Sequence, residues 1–323
     1  MEGAKPEPGP VGLEFCLAQE GHFEEVMSIS RDVYGGIDYL PVRYRTWLQE
    51  PARRVMLAKR NGRVIALVSV NVVDDGRTAV VEGLRVAPRE RGKGIAGLIQ
   101  EHCLDFIRAQ FPEVEVRRYT RSGRLGPEVL AKFQLICKQE ILSLYFKVEA
   151  LRPKLGAAIV QLKASGTEWQ EPIVLQAADV KRVFLNPTVI DTVLPGKTIV
   201  HDWAPFKASG SNLETLLKQD IVWMADSKEE PSVLSLCTAP YAIPMGANHH
   251  RLNIDIFGKH FPGARSQFLA HLQEVIGSLQ GPLYCILYMD PSLWQEMHSF
   301  CLESFGLQSD RDFGGQSVLE AGI

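Results

Sequence analysis

Apolar residues recur along the chain at two spacings, and the switches between them predict its elements. Strands are predicted over residues 13–17, 54–59, 64–73 and 78–86, and helices over 23–33 and 39–48. In the first helix Val26, Ile29, Ser30 and Val33 fall on one face, as a core-facing stripe requires. Asn61-Gly62 joins the second and third strands, because both central residues of a tight hairpin must tolerate positive φ. The turn Asp74-Asp75-Gly76 leads into the fourth strand, and Ile95, Leu98, Ile99, Cys103 and Phe106 then recur at helical spacing. Strands at 114–120 and 141–148 flank a short helix predicted near 127–136.

A second series follows with the same order. Strands are predicted over 221–225, 232–238 and 252–257, then a helix over 265–279, a strand over 283–289, a helix over 292–304 and a strand over 317–319. Residues 174–211 would supply its first helices, with Ile199, Val200 and Trp203 starting the sheet. The predicted class is α+β with a mixed sheet, in two domains at 13–150 and 151–323 behind a disordered tail at 1–12.

The most specific chemistry lies after the fourth strand, in Pro88-Arg89-Glu90-Arg91-Gly92-Lys93-Gly94-Ile95-Ala96-Gly97. The first turn of the following helix leaves the amides of Lys93, Gly94, Ile95 and Ala96 without intrahelical partners, and the glycines let a ligand approach the backbone. Free N–H groups and the positive end of a helix dipole both favour an anion, and Arg89, Arg91 and Lys93 add charge around it. Gly92, Gly94 and Gly97 also satisfy the dinucleotide fingerprint G-x-G-x-x-G. That reading fails on context, since Pro88-Arg89-Glu90-Arg91 separates the strand from the first glycine and the preceding strands form antiparallel hairpins. A glycine-relaxed turn with solvated charges is the plain alternative.

Val86, Pro88, Arg89-x-x-Gly92-x-Gly94, Ile95 and Ala96 together resemble the acetyl-coenzyme A loop of the GNAT N-acetyltransferases, and the resemblance runs in order through about residue 148. It implies a tandem of GNAT-like domains, the second degenerate, because its corresponding loop Gly258-Lys259-His260-Phe261-Pro262-Gly263 lacks the G-x-G spacing. It also implies acetyl-CoA as cosubstrate, held by Leu84, Val86, Arg91, Gly92, Lys93, Gly94, Ile95, Ala96 and Gly97. The Val86 amide would contact the thioester oxygen, and the Leu84 carbonyl would hold the pantetheine like an added strand.

An attacking amine must first lose a proton. Glu82, the one acid in an otherwise apolar strand, is the candidate base, on the side of Leu84 and Val86 if the pleat is unbroken. The competing reading is a carboxylate paired with Arg85 or Arg117, or turned to solvent by a bulge. GNAT enzymes often carry a tyrosine on the helix after the fifth strand to protonate the departing sulfur, and the matching position here is Phe133, leaving Tyr119 or Tyr145 as substitutes. Tyr34, Asp38 and Tyr39, beside Gly35-Gly36, occupy the place where GNATs meet their acceptor; they suit a small cationic or aromatic amine, or serve as helix-start anchors. Thr120 and Arg121 could orient an acceptor carboxylate.

Composition narrows the rest. The formal net charge is −3 over 323 residues, with no basic cluster interleaved with aromatics and no apolar stretch long enough to span a bilayer, so neither nucleic acid nor membrane is an expected partner. Six cysteines without C-x-x-C spacing fit reduced thiols and a cytoplasmic setting. Pro195-Gly196-Lys197-Thr198 is not a P-loop, since Asp191 stands where its first glycine belongs. His249, His250 and His260 lack metal-ligand spacing, so no metal is expected. Finally, Gly83 to Pro88, Leu135-Ile136, Lys138-Gln139, His201-Asp202-Trp203, Ser211-Asn212-Leu213 and Leu252-Asn253-Ile254-Asp255 are similar to the vertebrate histidine N-acetyltransferase family over almost the entire chain. That similarity implies acetylation of the α-amino group of free L-histidine. The residues alone reach an acetyl-CoA-dependent acyltransferase for a small amine, with a catalytically weak acetyl-CoA-binding sensor or scaffold as the alternative.

Overall fold

The computed structural model describes residues 8–9, 12–31, 33–165, 169–309 and 312–323, and most of the expected tail lies outside the described residues. The chain divides into two units, one comprising residues up to Tyr119 with Ile243–Met245 and Glu320–Ile323, the other Thr120–Ala242 with Gly246–Leu319. The division thus falls after Tyr119, ahead of the expected boundary at 150, because the next long strand makes its ladder with strands of the second half.

The first unit contains β1 (Pro8–Gly9), β2 (Leu13–Leu17), α1 (Phe23–Ile29), α2 (Leu40–Gln49), β3 (Arg53–Arg60), β4 (Arg63–Val73), β5 (Thr78–Val86), α3 (Ile95–Gln110) and the start of β6 (Val116–Ser122). Strands β1 to β5 pair antiparallel in sequence order, and β6 returns parallel to β5 after the α3 crossover. The β3–β4 hairpin closes through Asn61 and Gly62 at φ 51° and 74°, as its sequence predicts. One face of this sheet packs on α3 through Ile95, Ile99, Cys103, Leu104 and Ile107, each worth about 1.5–3 kcal/mol of burial where large and aliphatic. The other face packs on α1 and α2 through Val26, Ile29, Leu40, Tyr44 and Trp47. Beside β6, Arg118 is bound by Asp74 at 2.9 Å and Glu320 at 2.7 Å, and the Ile323 amide donates to the Glu115 carbonyl.

The second unit continues with α4 (Pro127–Leu130), β7 (Gln134–Lys147), α5 (Val148–Ala164), β8 (Ile173–Val174), α6 (Ala177–Phe184), α7 (Pro187–Thr192), β9 (Thr198–His201), β10 (Ala204–Lys207), α8 (Gly210–Leu216), β11 (Ile221–Ala225) and β12 (Val233–Thr238). It ends with β13 (Tyr241–Ala242), β14 (His250–Gly258), α9 (Phe261–Ile276), β15 (Pro282–Met289), α10 (Trp294–Ser299), β16 (Gln308–Ser309) and most of β17 (Gln316–Gly322). Its ladder runs β7, β15, β14, β12, β11, β8. β14 and β15 are parallel and joined through α9, just as β5 and β6 are joined through α3, so the repeat inferred from sequence order is present in the topology.

Two expectations are corrected. β9, with Ile199 and Val200, does not start the main sheet; it forms a separate hairpin with β10, and β8 is the edge strand instead. The helix expected over 127–136 is one turn, Pro127–Leu130, because β7 begins at Gln134. Phe133 is therefore on no helix, and the correspondence with the family's leaving-group tyrosine lapses.

Candidate active site

The first unit's site is built around a break in β5. Ser69 pairs with Glu82 and Leu67 with Arg85, so Gly83 and Leu84 together oppose Val68 in a β-bulge. Gly83 sits at φ +68°, and a Cβ there would meet Trp47 at 2.7 Å, so only glycine fits. The extra residue changes which side chains share a face. Glu82 and Arg85 both turn toward α2, whereas Leu84 and Val86 join the α3-facing cluster. The expectation that Glu82 lies with Leu84 and Val86 is therefore overturned, for the reason that the pleat is broken.

The same break opens the edge of β5. The parallel ladder to β6 covers only Thr78–Val81, matched with Val116–Tyr119. Ala87 donates its amide to the Ile65 carbonyl at 2.8 Å, which makes 65/87 a hydrogen-bonded pair and 66/86 the alternate kind. The Val86 N–H and C=O thus point away from β4, to the edge that β6 has left. Arg91 Nε reaches back to that carbonyl at 3.1 Å.

Just beyond, Gly92 and Gly94 adopt φ 74° and 77°, and α3 starts with Gly94 as an uncapped N-terminal residue. Its own hydrogen bonding begins with the Leu98 amide on the Gly94 carbonyl, leaving the preceding amides outside the helical ladder. A Cβ added at Gly92, Gly94 or Gly97 meets nothing within 4 Å. This open, exposed cradle of backbone amides fits the pyrophosphate of an acyl carrier. Glu90 binds Arg60 and, at 3.4 Å, Lys93, tempering the positive charge around the loop. At the equivalent turn in the second unit the glycines are close-packed: a Cβ at Gly258 would strike the Ser232 carbonyl oxygen at 2.1 Å, and one at Gly263 would strike Gln170 Oε1 at 2.6 Å.

Glu82 is held by Arg53, not by Arg85 or Arg117. Arg53 also binds Glu50 at 2.6 Å and Ser69 Oγ at 2.9 Å, and stacks on Trp47. Burial works against the Arg53 charge, yet Glu82 and Glu50 outweigh it and raise its pKa. Sequence reading missed Arg53 and Trp47, since nothing local ties them to Glu82.

Arg85 gathers the residues expected to meet the acceptor. Its Nη2 donates to Asp38 Oδ1 at 2.8 Å, and its guanidinium lies 5.2 Å from the Tyr34 ring centre and 5.3 Å from that of Tyr39. Asp38 Oδ1 also accepts from the Leu40 amide at 3.2 Å and so fixes the start of α2. Asp38 Oδ1 is thus committed within the protein, while Oδ2 is buried without a hydrogen-bond partner. Burial holds the Tyr39 phenol well above its ordinary pKa, with Arg85 opposing, so it stays protonated. Tyr34 is 46% exposed at φ 51°, beside Gly35 and Gly36 at 58° and 93°.

Thr120 Oγ1 donates to the Trp203 carbonyl at 2.6 Å, so its hydroxyl proton is committed, and Arg121 is exposed. Among the described residues no three His, Cys, Asp or Glu side chains group as metal ligands, and no helix is long and apolar enough to cross a membrane.

Residues 23–120 match the family model Acetyltransferase (GNAT) family, and residues 168–290 match Histidine N-acetyltransferase, C-terminal. A solved structure described as a tandem GNAT protein from the clavulanic acid biosynthesis pathway has a TM-score of 0.57 at 13% identity, covering 96% of this chain and 98% of that one, which supports the fold alone. The histidine N-acetyltransferase of Scomber australasicus is 43% identical over 317 residues, covering 97% of this chain and 94% of its own length. The human protein named Probable N-acetyltransferase 16 is 46% identical over 329 residues, covering 99% and 89%. With relatives of this identity matched along nearly their full length, the chain belongs to the histidine N-acetyltransferase family.

Proposed function

We propose that this protein transfers the acetyl group of acetyl-CoA to the α-amino group of free L-histidine. The observation that carries this reading is the open β5 edge, with the Val86 amide aimed away from β4, immediately before a glycine cradle of helix-start amides. Acetyl-CoA supplies the activated acyl group; the cradle would bind its phosphates and the β5 edge its pantetheine. The Val86 N–H would donate to the thioester oxygen as charge develops there, a preorganised interaction worth about 3–4 kcal/mol in a dry site. Glu82, fixed by Arg53 on the α2-facing side, would accept the proton of the attacking amine directly or through a water. A coenzyme thiol is a tolerable leaving group near its own pKa, so the absence of a helix tyrosine does not forbid turnover. The second unit would hold no coenzyme, a reading supported by its loop, which lacks the G-x-G spacing, and by Gly258 and Gly263 lying close against protein atoms.

The substrate assignment follows the names of the relatives from Scomber australasicus, Oreochromis niloticus and Xenopus tropicalis. Thiol release from acetyl-CoA with each common amino acid tests it. Histidine is expected to give the fastest release; background release with histidine and clear release with another amine would replace the acceptor. Acetyl-CoA binding with no release for any amine would make the protein a sensor or scaffold.

A further inference from the structure

The bulge that turns Glu82 toward α2 turns Arg85 to the same side, beside the loop that opens α2. Burial raises the pKa of the Tyr39 phenol, and Arg85, then Tyr34, Glu82 and Asp38, all act on it electrostatically, so these four groups lie around one ring. The Tyr39 ring is itself 6.3 Å from that of Tyr34, centre to centre, and 5.9 Å from that of Trp47. Every one of these residues belongs to the first unit, as does Val86.

Two atoms of the ion pair at the centre of this group are left over. Arg85 Nη1 donates to the Leu84 carbonyl at 3.1 Å and Nη2 to Asp38 Oδ1 at 2.8 Å, and the same oxygen accepts from the Leu40 amide. Among the described residues nothing bonds Arg85 Nε or Asp38 Oδ2, although each side chain is 4% exposed. A closed two-bond pair, the frequent geometry of arginine with a carboxylate, would have matched these atoms to each other. Here one bond forms, so one donor and one acceptor stay unspent, a state that native interiors rarely leave without an occupant.

The neighbouring segment is strained. Tyr34, Gly35 and Gly36 are left-handed in succession, at φ 51°, 58° and 93°, a conformation that costs Tyr34 energy and persists where the surroundings over-determine it. The Tyr34 ring lies 5.2 Å from the buried Arg85 guanidinium and is itself half exposed. It is thus the member of the group that moves with least loss of burial, and Gly35 beside it supplies the hinge.

We propose that Arg85, Asp38 and Tyr34 set acceptor specificity: Arg85 Nε donates to the amino acid's carboxylate, Asp38 Oδ2 accepts the N–H of its imidazole, and Tyr34 closes over that ring. The inference rests on the acetyltransferase reading above. It leaves the α-amine to Glu82, which the bulge directs to the same side, so each polar group of histidine meets a group of opposite character within one unit. A neutral imidazole carries one ring N–H, which a carboxylate oxygen accepts. A phenyl ring in its place would leave Oδ2 buried and unpaired, and a site built to bond an N–H rejects analogues lacking it for that reason.

The test is calorimetric titration of the full chain, with coenzyme A present, by L-histidine, L-histidinamide and L-phenylalanine, beside Asp38→Asn, Arg85→Lys and Tyr34→Gly variants whose melting temperatures are also measured. The parent is expected to prefer histidine to either analogue by at least about tenfold. Arg85→Lys keeps a charge for Asp38 but has no Nε, and should lose the preference over histidinamide. Asp38→Asn keeps Oδ1 for Arg85 and Leu40 but puts a donor where Oδ2 was, and should lose the preference over phenylalanine. A merely structural role would lower the melt and weaken all three ligands alike, leaving the ratios unmoved. Tyr34→Gly is the variant safest to fold, since glycine relieves the left-handed backbone, and should bind histidine about threefold or more weakly. Folded variants that keep the parent's preferences, or unchanged histidine affinity in Tyr34→Gly where the other two do not fold, would overturn the proposal. A parent that acetylates an amino acid without a ring N–H ends the histidine reading and the Asp38 contact together, while that amino acid and its amide decide the Arg85 contact. A parent that binds acetyl-CoA but no amino acid sinks both readings.

Discussion

Asp38 and Arg85 form an ion pair of 2.8 Å in which each side chain is 4% exposed. Forty-seven residues separate them, and the pair ties the loop before α2 to the bulged end of β5. Removing one partner leaves the other charged and buried. Asp38→Ala should therefore cost about 3–5 kcal/mol, read by denaturant unfolding. Adding Arg85→Leu should recover most of it, because a pair of apolar replacements leaves no stranded charge. An Asp38→Ala variant as stable as the parent would show that the pair does not form.

Glu82→Gln keeps the shape and a hydrogen bond to Arg53 but cannot take a proton. If Glu82 is the base, kcat for histidine acetylation should fall about 10²-fold or more with both KM values little changed. Full activity in this variant would move the base elsewhere.

Gly83→Ala forces a side chain into left-handed backbone and against Trp47. The backbone alone should cost about 1–3 kcal/mol. Displacing Trp47 also shifts Arg53, which stacks on it, so acetyl transfer should drop by about tenfold or more at a temperature where the protein is folded. Wild-type rates would mean that the bulge is not needed for the site.

His271 is fully buried, with Nε2 2.7 Å from Ser235 Oγ, and burial pushes its pKa down from 6.5 to about 3. Between those values the unfolded chain binds a proton that the folded chain refuses. Stability should consequently be level above pH 6.5 and fall as pH drops toward 3, by up to about 1.4 kcal/mol per pH unit from this residue. His271→Gln should flatten that part of the unfolding profile, compared with the parent at each pH. Parallel profiles for the two proteins would refute the assignment.

Much of the frame was legible in the chain. Thr78–Val86 is a strand with the limits its apolar run suggested, and the amides after Pro88 open a helix as the glycines implied. What escaped was the pairing of neighbours. Whether Glu82 faces α2 or α3 depends on the register against β4, and the one local cue was an isolated glycine inside a strand, Gly83, which signals a bulge. The β9–β10 turn gave no cue, because Asp202 and Trp203 take the conformations usually left to Asn-Gly. Arg53 was hidden for a different reason: ion pairs between residues 29 apart follow from the finished sheet and leave no spacing pattern.

The clasp of Arg118 by Glu320 spans 202 residues, and it sets an order of events at the ribosome. A nascent chain that has already emitted β6 must wait for the whole second unit to be translated before that clasp can close. Contacts so distant form late. Until then the margin beside β6 is open to foreign strands, so slow elongation or premature termination before residue 320 should favour aggregation over a stable half-protein.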